Sequence, residues 1–178
     1  CEPACRRSRV EDEPVAICRL KRVASDCKDD IYPYLPKIPP EKNGKRIALI
    51  GAGPASLTVA RDLLPFGYEV VMYERDNKAG GMMRSQIPAF RLPENVLDEE
   101  LDIILHMGVE CHFGEDIASL ADLLQAKFDA IFVGTGAPSG RWLEIPGHDS
   151  AAAHIEVGIS WLSNVSFKHT EQATKRVV

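Results

Sequence analysis

The sequence lacks any apolar run long enough to cross a bilayer, and it shows no signal peptide, so neither a membrane span nor secretion is expected. It lacks an excess of positive charge: the formal net charge of −5 gives no reason to expect a nucleic-acid partner. Internal repeats and low-complexity tracts are absent, which excludes a repeat architecture. Histidines at metal-ligand spacing are missing too. His106, His112, His148, His154 and His169 are scattered, and each is expected as a surface or capping residue. Cysteines are few and unevenly placed: Cys1, Cys5, Cys18, Cys27 and Cys111. An odd set of this kind in an α/β chain points to a reducing, cytoplasmic compartment, with thiols or metal ligands rather than disulfides.

What is present begins with KRIALIGAGPASLTVARDLLPFGYEVVMYER, Lys45 to Arg75. Ile47 to Ile50 is a short apolar run suited to a strand buried on both faces. A tight glycine turn follows, made of Gly51, Ala52, Gly53, Pro54, Ala55 and Ser56. The helix behind it carries Leu57, Ala60, Leu63 and Leu64 on one side and ends at Gly67. A second strand, Glu69 to Tyr73, closes on Glu74. Gly51 is free to adopt backbone angles that a side chain disfavours. Gly53 allows a pyrophosphate to approach the backbone where the helix N-terminus offers amides and partial positive charge. Glu74 lies 23 positions after Gly51, close to the spacing of about 20 expected for the acid that binds an adenosine ribose. The third small position is Ser56, read as tolerated packing. Strand, glycines, helix, strand and acid in this order predict a dinucleotide site.

The chain divides into four expected parts. Residues 1–30 are a short helical piece. Cys1 and Cys5, spaced CxxxC, can aim two thiolates at one cluster from a single helical turn, and Arg6, Arg7 and Arg9 offset the charge. Glu13 and Pro14 open a helix whose face carries Ile17, Leu20, Ala24 and Cys27, with Cys27 expected in a core. Residues 31–44 are a proline-rich, extended linker pinned by Tyr32 and Tyr34. Residues 45–173 form the α/β domain, and residues 174–178 start another. Within the domain, Gly80 and Gly81 allow a second close backbone approach. Pro93 starts a helix with Leu97, Leu101, Ile104 and Leu105 as its stripe. Glu110 to Phe113 is a strand in which Cys111 and His112 face opposite ways. Ser119 and Asp122 form a capping box for Leu120 to Ala126. Asp129 to Val133 is a buried strand running into Gly134, Thr135 and Gly136, which places that turn near the dinucleotide. Leu143 to Gly147 reads as a strand end and turn, Ile155 to Leu162 as a helix, and Trp142 and Trp161 as packing residues.

The ordered set CExxCRR, PVAIxxLKR, GAGPAS, GGM, IPAFRLP, FDAIFVGTGA and LEIPG resembles the small (beta) subunit of glutamate synthase and its relatives, including the N-terminal part of dihydropyrimidine dehydrogenase and NAD(P)H-using electron-input subunits. The resemblance implies an α/β fold: a Rossmann-like FAD-binding domain, incomplete in this chain, behind a short α-helical iron–sulfur segment. It implies that Gly51, Ala52, Gly53, Pro54, Ala55 and Ser56 hold the FAD pyrophosphate. Glu74, with Arg75 beside it, takes the adenosine ribose. Gly81 and Met82 run along the cofactor with Arg84 nearby, and Gly134, Thr135 and Gly136 form a second FAD motif. Cys1 and Cys5 match the last two cysteines of a [4Fe–4S] set. The family usually carries YGIP where this chain has Ser85, Gln86, Ile87 and Pro88. Upstream cluster cysteines, the NAD(P)H domain and the return of the FAD domain are expected outside the chain, which is read as a fragment. The implied function is electron input: electrons pass from NAD(P)H through FAD and iron–sulfur clusters to a catalytic or electron-accepting partner subunit, with no catalytic side chain in this part. Two other readings stay open, a cluster-free NAD(P) or FAD Rossmann oxidoreductase and a non-catalytic scaffold with a degenerate site.

Overall fold

The computed structural model describes residues 1–142, 144–151 and 154–167. The expected domain start at 174–178, together with His169 and Leu143, lies outside the described residues. The chain forms two compact units, Cys1–Pro36 and Lys37–Val178.

In the first unit, short 3-10 turns at Glu2–Ala4 and Arg6–Arg9 precede α1, Ile17–Asp26, and another turn follows at Tyr32–Tyr34. Three expectations are corrected. The helix opens at Ile17 rather than Pro14, with Ala16 at its N-cap and no side-chain cap. Cys27 is exposed at the C-cap rather than in a core. Tyr32 and Tyr34 are exposed rather than seated against a surface, Tyr34 almost wholly so. No residue of Cys1–Pro36 is buried. A unit of this size cannot be held by an apolar core of its own and needs a metal, a staple or a partner.

The second unit is a parallel sheet with helices, as its sequence order of strand, helix and strand demands. Its strands are β1 (Arg46–Ile50), β2 (Glu69–Glu74), β3 (Glu110–Phe113) and β4 (Ala130–Val133), in the order β3-β2-β1-β4. Every pairing is parallel, with Ile50 opposite both Tyr73 and Val133 and Glu74 opposite Phe113. The carboxyl ends of the strands therefore share one edge. Ala48, Leu49, Val71 and Met72 are at most 1% exposed, and such consecutive burial marks strands covered on both faces. One face packs on α2 (Pro54–Leu63), the turn that follows it and α4 (Glu94–Leu105), through Leu57, Ala60, Leu64, Leu97 and Leu101. Burying a leucine side chain fully is worth about 1.5–3 kcal/mol.

Local details depart from the sequence reading in small ways. The α2 helix stops at Leu63 because Pro65 forces a 3-10 turn, Leu64–Phe66, before left-handed Gly67 closes it. Ile103 is buried while Ile104 and Leu105 are only partly so, which turns the α4 stripe slightly. Ser119 caps α5 (Leu120–Gln125) in position only, since its side chain makes no cap hydrogen bond and the capping box does not form. Residues 144–147 hold a turn but no strand. The last helices among the described residues are α6 (His148–Ala151) and α7 (Gly158–Ser166), the latter starting three residues later than Ile155. A short helix α3, Met82–Ser85, follows the Gly80–Gly81 turn. Trp142 is half exposed, with its ring edge-on to His148.

Candidate functional site

A cavity of about 760 Å³ opens at the carboxyl ends of β1, β2 and β4. In an open parallel sheet this is where ligands bind. Its walls bring together Gly51, Gly53, Pro54, Ala55, Glu74, Arg75, Gly81, Met82, Gly134, Thr135 and Gly136. Segments separated by 80 residues of chain meet there because the ladder continues past the strands: Gly51 N–H donates to Tyr73 O at 2.8 Å, and Gly134 N–H to Ile50 O at 2.8 Å.

The glycines divide into two kinds. At Gly51 the φ is +91°, and a Cβ would sit 2.6 Å from Gly134 O. At Gly81 the φ is +51°, and a Cβ would come within 3.0 Å of Gly53 Cα. These two let backbone meet backbone. Gly53 has an ordinary extended conformation, and a Cβ on it would meet nothing within 4 Å. It is the N-cap of α2, with Pro54 at N1 and no side-chain cap. The open space above Gly53 thus faces a helix start whose amides are free for an anion.

Ala52, Ser56 and Arg84 lie outside the cavity wall. Ala52 is buried, and its N–H donates to Glu74 Oε2 at 2.7 Å. Glu74 Oε1 accepts from Asp76 N–H at 3.0 Å. The carboxylate, 7% exposed, thus braces the glycine turn from the end of β2 and keeps a lone pair on each oxygen for a further donor. Ser56 is fully buried, and its hydroxyl has no hydrogen-bond partner. It lies directly under Gly134, where a Cβ would fall 2.3 Å from its Oγ. Arg84 points away from the cavity toward Ala79 O, Glu94 and Asp98.

Cys1 and Cys5 belong to the first unit, and both are free thiols. Backbone N–H groups of Val15 and Arg7 act on the Cys5 sulfur and hold its pKa below the ordinary thiol value. No group of three or more metal-ligating side chains is assembled among the described residues. Two thiols fall short of the four ligands of a [4Fe–4S] cluster.

Some cavity residues carried no sequence signal. Asp76, Glu115, Asp116 and Ile117 complete the wall beyond β2 and β3, where Glu115 N–H is bonded to Glu74 O at 2.9 Å. The rule that placed Gly134 also reaches this loop, since it too follows a strand end. Ile159, Ser160, Ser163 and Asn164 come from α7 and have no motif. They are held there by Gln86, whose Nε2 donates to Ile159 O at 3.0 Å, and by Ser166, whose hydroxyl donates to Ser85 O at 3.2 Å.

Residues 49–113 match the family model described as an NAD(P)-binding Rossmann-like domain. The Salmonella typhimurium NAD-dependent dihydropyrimidine dehydrogenase subunit PreT is 36% identical over 166 residues, covering 91% of this chain and 38% of that protein. The Bacillus subtilis glutamate synthase (NADPH) small chain is 30% identical over 182 residues, covering 100% of this chain and 36% of that one. This chain thus spans little more than a third of the length of these relatives. Among solved structures, Mycobacterium tuberculosis FprA in complex with NADPH shares the fold with a TM-score of 0.58, at 20% identity over 67% of this chain and 28% of that one. No helix among the described residues is long and apolar enough to cross a membrane. The likeness first visible in GAGPAS, IPAFRLP and FDAIFVGTGA runs through the chain, which is similar in sequence to the glutamate synthase small chain and the dihydropyrimidine dehydrogenase subunit PreT and matches an NAD(P)-binding Rossmann-like domain over residues 49–113.

Proposed function

We propose that this chain is the flavin-binding part of an NAD(P)H-dependent oxidoreductase subunit, and that its cavity takes FAD. The observation that carries the reading is Gly53: an N-cap glycine with open space where its Cβ would be, facing the cavity. The pyrophosphate would lie over Gly53 and Ala55, in the field of α2. Glu74 would accept from the ribose hydroxyls on its remaining lone pairs. Asp76, Glu115 and Asp116 surround that end with negative charge, which disfavours a 2′-phosphate. Arg75, exposed on the same wall, would face the adenosine side, and Gly81, Met82 and Gly134 to Gly136 the far side. FAD, when bound, supplies the acceptance of two electrons from a nicotinamide and their release one at a time. The chain's residues bind and orient it, and none is a catalytic acid or base.

The first unit would hold part of a [4Fe–4S] cluster. Cys1 and Cys5 would be two of its ligands, the others coming from outside this chain. Two observations support this: amides that favour the Cys5 thiolate, and a unit with no buried residue that needs a staple. Residues 31–44 would link the two parts, and an NAD(P)H domain would follow near 174. The cluster would pass electrons to a catalytic or electron-accepting partner subunit, in the cytoplasm. The matching family's NAD(P) description favours a second reading, in which NAD(H) occupies the same cavity. Titration with FAD, NADH and NADPH, followed by flavin fluorescence and nucleotide competition, decides between them. Stoichiometric FAD that NADH does not displace is the expected result. NADH binding with no FAD binding would overturn it. Iron and acid-labile sulfide assays on the full-length protein test the cluster.

A further inference from the structure

Behind the cavity wall lies a dense ionic cluster that the reading above leaves without a role. The Arg84 side chain is 7% exposed. Its Nε donates to Ala79 O at 2.7 Å, Nη1 to Glu94 Oε1 at 3.2 Å, and Nη2 to Asp98 Oδ1. Lys78 shares the same carboxylates, 2.6 Å from Glu94 and 3.8 Å from Asp98. The planar guanidinium fork spans three acceptors at once, which an ammonium cannot do with the same geometry.

The carbonyl that Arg84 holds immediately precedes the Gly80–Gly81 turn. That turn is pinned from the other side as well. Gly80 N–H donates to Ala52 O at 2.9 Å, and Gly81 fits so closely on Gly53 that a Cβ would reach within 3.0 Å of it. Both glycines have positive φ, +126° and +51°. Two successive glycines have little conformational preference of their own, so the shape of this turn depends on what grips it. Arg84, on α3 and tied to Glu94 and Asp98 of α4, grips it through Ala79, while Met82, two residues away on the same short helix, lines the cavity.

We infer that Arg84 is a positioning residue for the dinucleotide: without touching the ligand, it sets how the Gly80–Gly81 turn seats against Gly53, the N-cap glycine over which the pyrophosphate would lie. This rests on the FAD reading given above.

The test compares Arg84→Met, Arg84→Lys and, as a stability control, the core substitution Leu64→Ala, with melting temperatures matched by choice of assay temperature. Two readouts are taken on each: the hydrogen-exchange rate of the Gly80 amide in the absence of FAD, and the dissociation constant for FAD. In Arg84→Met, Gly80 exchange and the FAD dissociation constant each rise at least tenfold over Leu64→Ala, and Arg84→Lys falls between that variant and the wild type. If both readouts in Arg84→Met track the control, the inference is overturned while the FAD reading stands. A wild type that binds no FAD overturns the FAD reading and the inference with it. Should Arg84→Met fail to fold, Asp98→Ala removes one arm and leaves Arg84 on Ala79 and Glu94. Gly80 exchange several-fold faster than in the wild type supports the inference, and an unchanged rate overturns it.

Discussion

Gly51 and Gly53 are two residues apart in one turn, yet alanine at each should do opposite things. At Gly51 an alanine must hold φ near +91° and place its Cβ 2.6 Å from Gly134 O. The left-handed backbone costs an L-residue about 1–2 kcal/mol. Overpacking against a backbone carbonyl in the β1–β4 seam adds about 1–3 kcal/mol. Gly51→Ala should therefore lose roughly 2–5 kcal/mol, or about 5–20 °C in melting temperature for a chain of this size. At Gly53 the backbone is ordinary and the space is open. Replacing an N-cap glycine by alanine costs up to about 1 kcal/mol, and the stiffer unfolded chain returns about 0.4–1 kcal/mol. The melting temperature of the apo protein should barely move. The new methyl, however, stands in the slot assigned to the pyrophosphate. Displacing a ligand there by about 1–3 kcal/mol weakens FAD binding by roughly 5- to 150-fold. The assay is a thermal melt of each apo variant beside an FAD titration read by flavin fluorescence. Gly53→Ala with wild-type FAD affinity would refute the pyrophosphate placement, and Gly51→Ala with a wild-type melt would refute the tight seam.

Ser56→Ala should leave the protein as stable or raise stability by up to about 1 kcal/mol, because the buried hydroxyl it removes has no partner; a clear loss in urea denaturation would show that the hydroxyl is satisfied. Glu74→Ala should destabilise even the apo protein, by about 1–3 kcal/mol, because it strands the buried Ala52 N–H, and an unchanged apo melt would contradict that bracing role. The Arg46 N–H and the Lys45 ammonium hold the Asp129 carboxyl below its ordinary pKa. Its contribution to stability is thus present above about pH 4 and lost as pH falls through the lower folded value. Asp129→Asn should flatten the acid limb of a stability–pH curve in that window, and an identical acid limb in the variant would count against the tie. Burial pushes the Cys111 thiol up while amides push Cys5 down. Iodoacetamide followed by peptide mass spectrometry should label Cys5 well before Cys111, and equal rates would show that the two environments do not differ.

Much of the second unit was legible because its cues are local. Two buried apolar runs and two shorter runs gave four strands within a residue of their observed bounds, and Gly67, Pro93 and Ser119 each marked an element end; β4, expected to be buried, has no buried residue, because among the described strands it pairs on one side only, with β1. The first unit was legible only in part. Its helix carries Ile17, Leu20 and Ala24 at the expected spacing, yet Leu20 is more than half exposed, because periodicity reports a face and not what covers it. Arg84 was placed beside the cofactor by its position after Gly81 and Met82, but its direction is set by Glu94 and Asp98 on α4, ten and fourteen residues on. The α7 wall of the cavity was invisible because it depends on Gln86 meeting Ile159 across 73 residues of chain.

The glycine fingerprint itself turns out to be less a ligand motif than a seam in the protein. Gly51 meets Gly134, Gly53 meets Gly81, and Ser56 lies under Gly134, so the motif's small residues are spent mostly on one another. A mutation at Gly51 or Gly134 that abolishes cofactor binding therefore says nothing about contact with the cofactor, since it opens the sheet edge on which the site is built. Of the glycines in these two turns, Gly53 alone combines open space with an ordinary φ and so reports on a ligand without first disturbing the fold, whereas Gly136 has open space but holds φ +67°. For the same reason a family match across residues 49–113 carries the fold further than the chemistry. Within it, Gly51, Gly53 and Gly81 serve the packing of backbone on backbone, and a domain that had lost its dinucleotide would need to keep that packing in order to fold.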